Sequence, residues 1–386
     1  MKYKLSDLFE LQMGKTPSRD NPEYWSQPEF PWISIADLSN ADKYIYDTKE
    51  SLSRQAVEES GIKIIPAQTV IMSFKLSIGK VSITPVPMYS NEAIMAFIDK
   101  GIVKIKPEYL YYLLLHRNWD EGTNKAVMGK TLNKATLSEV VIDIHPIEEQ
   151  ERMVIILDKA SEIIDSYQRQ LRTLDTLIKA RFVEMFGDPI SNTKNWKMIE
   201  LGDLTNIGSS KRIFEKEYVS EGIPFYRTKE IVELSKGNTI STELYITERR
   251  YTEIKEQYGV PKKGDLLISA VGTIGVIWIV DGNNDFYFKD GNLIRVDGSE
   301  KFNSVYMKNL LEYLIEEYKK QMSAGTAYAA LTISGLAKMK VYDVPMELQE
   351  QYAGFVKQVD KSKVAVQAAL EKAQLLFDSL MQQYFG

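Results

Sequence analysis

Two stretches of the chain place apolar residues at alternating steps of four and three. The first runs through Met153, Leu157, Ala160, Ile164, Tyr167, Leu171, Leu174, Ile178, Phe182 and Met185. The second runs through Tyr352, Val356, Val359, Val366, Leu370, Ala373, Phe377, Leu380 and Tyr384. This is a heptad seam, the pattern of a long helix packed along another helix. One polar residue, Lys363, interrupts the second seam where the first has Ile164. Both stretches follow a proline and acidic residues, which suits a helix N-terminus, and no later proline breaks them. At about 38 residues and ~1.5 Å per residue each predicts a helix of roughly 57 Å, too long for half of an ordinary domain core.

The seams belong to a larger repetition. Leu5-Ser6-Asp7-Leu8 returns as Leu201-Gly202-Asp203-Leu204, and Pro146-Ile147-Glu148-Glu149-Gln150-Glu151 returns as Pro345-Met346-Glu347-Leu348-Gln349-Glu350. Each helical stretch then stops at the same dipeptide, Phe186-Gly187 and Phe385-Gly386. A period this long marks a duplicated domain plus helix, not a solenoid. The expected organisation is a globular unit over 1–145, a long helix over 146–187, a second unit over 188–344 and a second long helix over 345–386. Matching seams, one per repeat, are satisfied most simply by antiparallel packing on each other, with the globular units at opposite ends in a pseudo-two-fold arrangement. Homodimeric coiled coils are the alternative packing.

Outside the helices the pattern changes to short β-type runs. Val70 to Phe74 leads into Lys75-Leu76-Ser77-Ile78-Gly79-Lys80-Val81, and Leu266 to Ser269 leads into Ala270-Val271-Gly272-Thr273-Ile274-Gly275-Val276. Each predicts a hairpin whose Gly-containing loop can approach a ligand closely. Pro31-Trp32-Ile33-Ser34 and Pro224-Phe225-Tyr226-Arg227 occupy matched places before them, and helical pieces are expected over Glu108–His116 and Tyr306–Gln321. The fold class is therefore α+β, with a mixed or mostly antiparallel sheet in each unit.

At 386 residues the chain suits two units of roughly 150 residues plus helices. No long apolar run or signal-like start is seen, so a cytoplasmic, non-membrane protein is expected. Zero cysteines exclude disulfides and thiolate metal sites, and only two histidines, His116 and His145, remain for metal or triad chemistry. A structural role is expected for His145, in the apolar run before Pro146, and a surface or capping role for His116, at the end of the helical segment from Tyr109 to Leu115. The formal charge of −5, from 48 basic and 53 acidic residues, is not that of a strongly basic nucleic-acid binder, so any such binding must come from local patches or a partner.

Such patches exist. Lys15, Arg19, Lys75, Ser77, Lys80, Lys130, Asn133 and Lys134 decorate the first unit, and Ser209, Ser210, Lys211, Arg212, Arg227, Lys229, Thr273 and Tyr328 the second, with Arg249 and Arg250 nearby in sequence. Cations interleaved with Ser, Thr, Asn and Tyr suit phosphate contacts and base-edge contacts. A solvated surface is the better reading of any single one of them; their grouping is the signal. Catalytic motifs fail by comparison. Gly14-Lys15-Thr16 and Gly129-Lys130-Thr131 lack the leading glycine of a phosphate loop, with Phe9 and Asn124 there instead. Gly272-x-x-Gly275 lacks the first glycine of a dinucleotide fingerprint, and Asn21-Pro22-Glu23-Tyr24 reads as a turn.

Two dissimilar globular units, each followed by a long helix entered through Pro-x-x-x-Gln-Glu, together resemble the DNA specificity subunit of type I restriction–modification enzymes. The resemblance spans the whole chain and rests on Ser73–Val81 with its copy Ser269–Ile277, Leu132–Gln150 with Ala327–Gln349, and the paired helices. It implies that each unit is a target-recognition domain reading one half of a split, asymmetric double-stranded DNA target. It further implies that the helices set the spacing and dock two methyltransferase subunits and, through them, restriction/translocase subunits. Under that resemblance the chain is non-catalytic and binds no cofactor, while S-adenosylmethionine, ATP and Mg belong to the partners. The competing readings are a structural adaptor that binds proteins through its seams, a fused enzyme, and a specificity component of a type IIG-like or solitary methyltransferase system.

Overall fold

The computed structural model describes residues 1–26, 29–75, 77–119, 132–323 and 330–386. Its chain divides into two compact units, residues 1–168 with 368–386 and residues 169–367.

In the first unit the strands are β1 (Lys2–Lys4), β2 (Phe9–Met13), β3 (Phe30–Ile33), β4 (Glu50–Leu52), β5 (Thr69–Ser73), β6 (Val81–Thr84), β7 (Tyr89–Ser90), β8 (Ile94–Asp99) and β9 (Val141–Asp143). A four-stranded antiparallel sheet has the order β2-β8-β5-β6, and a three-stranded sheet the order β4-β3-β7. In the latter β3 runs antiparallel to β4 and parallel to β7. Strand β1 pairs with β9. The continuous apolar run of β5 reflects burial on both faces. Val70, Met72 and Phe74 enter a core with Tyr109, Leu110, Leu113 and Leu114 of the helix Pro107–His116, whereas Ile71 alternates into a second core with Ile33, Leu38 and Met88.

The second unit repeats this plan strand for strand. Its strands are β10 (Met198–Glu200), β11 (Ile207–Gly208), β12 (Ile223–Tyr226), β13 (Tyr245–Ile246), β14 (Leu266–Ser269), β15 (Ile277–Ile279), β16 (Tyr287–Phe288), β17 (Leu293–Val296) and β18 (Lys340–Tyr342). The orders are β11-β17-β14-β15, β13-β12-β16 and β10-β18, with β12 and β16 again parallel. Leu266 and Ile268 join Tyr306, Met307, Leu310 and Leu311 of the helix Ser304–Ser323, while Leu267 turns to Phe225 and Phe288. The expected α+β class and internal duplication are thus seen in the topology itself.

The long helices are Ile147–Phe186 and Met346–Phe385, 40 residues each. In the first unit Leu157 and Met381 are buried together with Tyr112. In the second, the Phe182 and Tyr352 rings meet edge to face at 5.4 Å, and Lys363 Nζ lies 2.7 Å from Asp175 Oδ1. Rising numbers on one helix therefore meet falling numbers on the other, and the pairing is antiparallel. The seam residues Met153, Leu157, Ile164, Leu171, Leu174, Ile178, Val356, Val366, Leu370, Phe377 and Leu380 are all buried or half-buried. Off-seam Ile155, Ile163, Leu177, Val364 and Leu375 are exposed. Lys363 keeps its seam place by pairing with Asp175 at the rim. Gly354 lies inside the second helix without breaking it. Both Phe-Gly ends are docked on equivalent tyrosines: Phe385 sits 5.5 Å from Tyr109, and Phe186 sits 4.8 Å from Tyr306.

Candidate nucleic-acid interface

In the first unit β2 and β5 end, and β6 and β8 begin, at one edge of the four-stranded sheet, and the parallel pair β3 and β7 ends there too. Backbone hydrogen bonds tie the emerging loops together: Gly14 N donates to Ile94 O at 3.2 Å, Lys15 N to Ser90 O at 2.8 Å, Asn91 N to Ile33 O at 3.0 Å and Phe74 N to Ala93 O at 3.0 Å. The second unit gathers its loops in the same way. Lys289 N donates to Tyr226 O at 2.9 Å and Ala270 N to Asn292 O at 2.8 Å, while Leu331 N reaches Ala270 O at 3.0 Å and brings in the helix Ile333–Ala337.

Each hairpin loop is clamped by the serine that ends its first strand. Ser73 Oγ accepts from Lys80 N at 3.0 Å and donates to Ser77 O at 2.6 Å. Ser269 Oγ accepts from Val276 N at 2.9 Å and donates to Thr273 O. Gly79 and Gly275 adopt left-handed φ of +85° and +88° and approach Trp119 and Ile315 so closely that a Cβ would lie 2.9 and 2.7 Å from those side chains. These contacts hold the described residues of the loops, and Ser77, Lys80 and Thr273 stand exposed on them.

Most of the sequence-derived candidates in the described residues emerge from this edge or its loops. Lys15 is exposed with its ammonium on Ser60 O, and half-buried Lys75 lies over the Phe74 ring. Ser209 Oγ donates to Leu293 O, and Ser210 follows it. Lys211 donates its backbone N–H to the Tyr287 hydroxyl at 2.6 Å and holds its ammonium over Tyr258. Lys229 is exposed on the helix Thr228–Ser235. Other candidates already carry an internal task. Arg19 forks onto Glu50 at 2.5 and 2.9 Å and stacks 3.7 Å over Trp25. Its hydrogen bonds hold the Glu50 carboxyl below the usual range. Asn133 caps the helix Lys134–Ser138 by accepting from Thr136 N, and Lys134 is exposed. Arg227 gives both its backbone N–H and its guanidinium to Glu230. Lys130 and Tyr328 lie outside the described residues. His145 has the structural setting expected of it, with Nδ1 2.8 Å from the Tyr109 hydroxyl.

Two carboxylates, Glu92 and Asp290, also lie at this edge, outside the pattern of cations and hydroxyls that marks it in the sequence. Thr16 donates to Glu92, and Arg212 Nε donates to Asp290 at 2.7 Å. Strand pairing makes these the same place in the two repeats. The turn after β16 is one residue longer than the turn after β7, which hides the match in the sequence. The Thr16 hydroxyl holds the Glu92 carboxyl below its usual range, with a smaller contribution from Lys75. Among the described residues Ser90 Oγ, Ser210 Oγ, Thr228 Oγ1 and Asp290 Oδ1 are buried here without a hydrogen-bond partner, an arrangement that asks for an explanation beyond packing. No group of three or more potential metal-ligating side chains occurs among the described residues, and no described helix is long and apolar enough to cross a membrane.

The family model described as type I restriction modification DNA specificity domain matches residues 1–175 and 193–375. The chain belongs to this family. Its two matched segments follow the two repeats, and it serves DNA target recognition as a specificity subunit, not as the catalytic component. It is 26% identical over 409 residues to the type I restriction enzyme MjaIX specificity subunit of Methanocaldococcus jannaschii, covering 98% of this chain and 90% of that relative. A putative type I restriction enzyme specificity subunit of Haemophilus influenzae is 29% identical over 292 residues, 74% of this chain and 72% of the relative. Two solved structures share the fold. The type I restriction–modification S subunit of M. genitalium aligns over 100% of this chain and 96% of its own, with a TM-score of 0.55 and 15% identity. A chain from a structural study of complex assembly and conformational transition of the type I restriction–modification system gives 0.61 and 16%, over 100% of this chain and 97% of that one.

Proposed function

We propose that each unit of this specificity subunit reads one half of a split, asymmetric double-stranded DNA target through its strand-end edge. The long helices act as the spacer between the half-sites and as the docking surface for two methyltransferase subunits. Those subunits bring S-adenosylmethionine, and through them restriction/translocase subunits bring ATP and Mg. The complex works in the cytoplasm. The observation that carries this reading is a duplicated scaffold with different chemistry at equivalent edge positions: Thr16 against Arg212, and Ser34 against Arg227. Equal scaffolds with unequal reading heads suit two different half-sites. Reading two short sequences at a fixed gap also needs a rigid ruler, since a major groove faces the same way only every ~10 to 10.5 bp. The net charge of −5 fits a protein whose partner supplies much of the phosphate neutralisation.

The test is modified-base sequencing of genomic DNA from cells with and without the gene, with the partner subunits expressed in both. Loss of methylation at one split, asymmetric motif is the expected result. An unchanged methylation map would overturn the proposal and favour a protein-binding adaptor.

A further inference from the structure

The Arg212–Asp290 pair is built differently from the other cations of the edge. Asp290 is nearly buried, with 11% of its side chain exposed, while the Arg212 side chain is 66% exposed. The two strand ends that carry them are pinned to each other: Gly291 N donates to Ser209 Oγ at 3.3 Å, and Lys211 N donates to the Tyr287 hydroxyl at 2.6 Å. Only Nε of the guanidinium faces Asp290. Its terminal nitrogens make no hydrogen bond within the described residues and stand at the edge as a planar fork. A carboxylate this close cancels much of the cation's charge, which weakens its pull on a phosphate. It leaves intact the geometry of two parallel N–H donors, and in a major groove that geometry matches O6 and N7 of guanine.

We infer that Arg212 reads a guanine in the half-site recognised by the second unit, and that Asp290 is the residue that positions it. The inference rests on the DNA-reading role proposed above. The first unit supplies an internal contrast. Its equivalent pair is Thr16 with Glu92, which has no fork and therefore no means of bidentate guanine recognition at that place. The same backbone site is thus a guanine reader in one half and not in the other.

The experiment uses the full chain assembled with its methyltransferase partner and a duplex library randomised across both half-sites. Base preference is read position by position for the wild type, Arg212→Ala, Arg212→Lys and Asp290→Asn. In Arg212→Ala one guanine position in one half-site becomes degenerate, and affinity for the selected target falls about ten- to hundred-fold. Arg212→Lys does not restore the preference, because an ammonium lacks the fork. Asp290→Asn weakens the preference at that same position and at no other, a readout that a merely structural role would not move. The inference is overturned if Arg212→Ala leaves every preference intact, or if it lowers affinity for all sequences alike and flattens the salt dependence, the behaviour of a phosphate contact. A wild-type assembly with no sequence preference at all is a separate result. It would remove the DNA-reading role itself, and this inference with it.

Discussion

Gln150 and Gln349 make the same clamp at the entry to the two long helices. Gln150 Oε1 accepts from Lys106 N at 2.9 Å while its amide donates to Lys104 O and His145 O. Gln349 Oε1 accepts from Asn303 N at 2.8 Å while its amide donates to Val344 O. Both side chains are almost fully buried, at 0% and 2% exposure. Each ties the first turn of a long helix to the segment that launches the helix packed on its unit's central sheet. Truncation strands buried backbone groups, so Gln150→Ala and Gln349→Ala should each cost about 2 to 3 kcal/mol. Urea unfolding checks this, and losses below about 0.5 kcal/mol, the range of ordinary surface substitutions, would contradict the clamp.

A second pair shows the repeats diverging. Tyr109 donates to Asp143 O at 3.0 Å and lies 2.8 Å from His145 Nδ1. Tyr306 occupies the equivalent place, fully buried, but its hydroxyl has no partner among the described residues. The place of His145 is taken by Val344. Tyr109→Phe should therefore lose about 1 kcal/mol, while Tyr306→Phe should be neutral or stabilising. Equal losses in the two unfolding midpoints would refute this account.

How much of this was legible beforehand varies with range. The seam was readable because a 3.5-residue period is a local property, and every seam residue does face inward. The duplication was readable from short strings such as Leu-x-Asp-Leu. The carboxylate partners were not, because Glu92 meets Thr16, and Asp290 meets Arg212, only through strand pairings that sequence spacing does not encode. Glu230, three residues after Arg227, was the available signal that this candidate contact also heads a capped helix. Lys363 looked like a fault in the seam until the antiparallel register set Asp175 opposite it.

Glu230 also sets a pH dependence. Burial alone would raise its carboxyl, but hydrogen bonds from the Arg227 guanidinium and backbone hold it below the ordinary value. A depressed carboxyl stabilises the folded state above its unfolded pKa of about 4.3, and that contribution is lost as pH falls through the folded value. Glu230→Gln should cost about 1 to 3 kcal/mol at neutral pH and lose less further stability than the wild type below about pH 4.5. Parallel acid-unfolding profiles for the two proteins would contradict the assignment.

Gly354 offers a test of opposite sign. It is exposed within the helix Met346–Phe385, and a Cβ there would meet nothing within 4 Å. Gly354→Ala should stabilise the free subunit by about 0.5 to 1 kcal/mol, seen as a raised thermal midpoint. A lowered midpoint would show that the helix needs glycine at this position.

If the strand-end edge of each unit faces DNA, Lys80→Ala in the first unit and Lys211→Ala in the second will change the salt dependence of target affinity in the assembled complex. Each variant should bind more weakly, with a slope of log affinity against log salt about one unit shallower than the wild type. Unchanged affinity and slope in both variants would show that DNA lies on some other face of the protein.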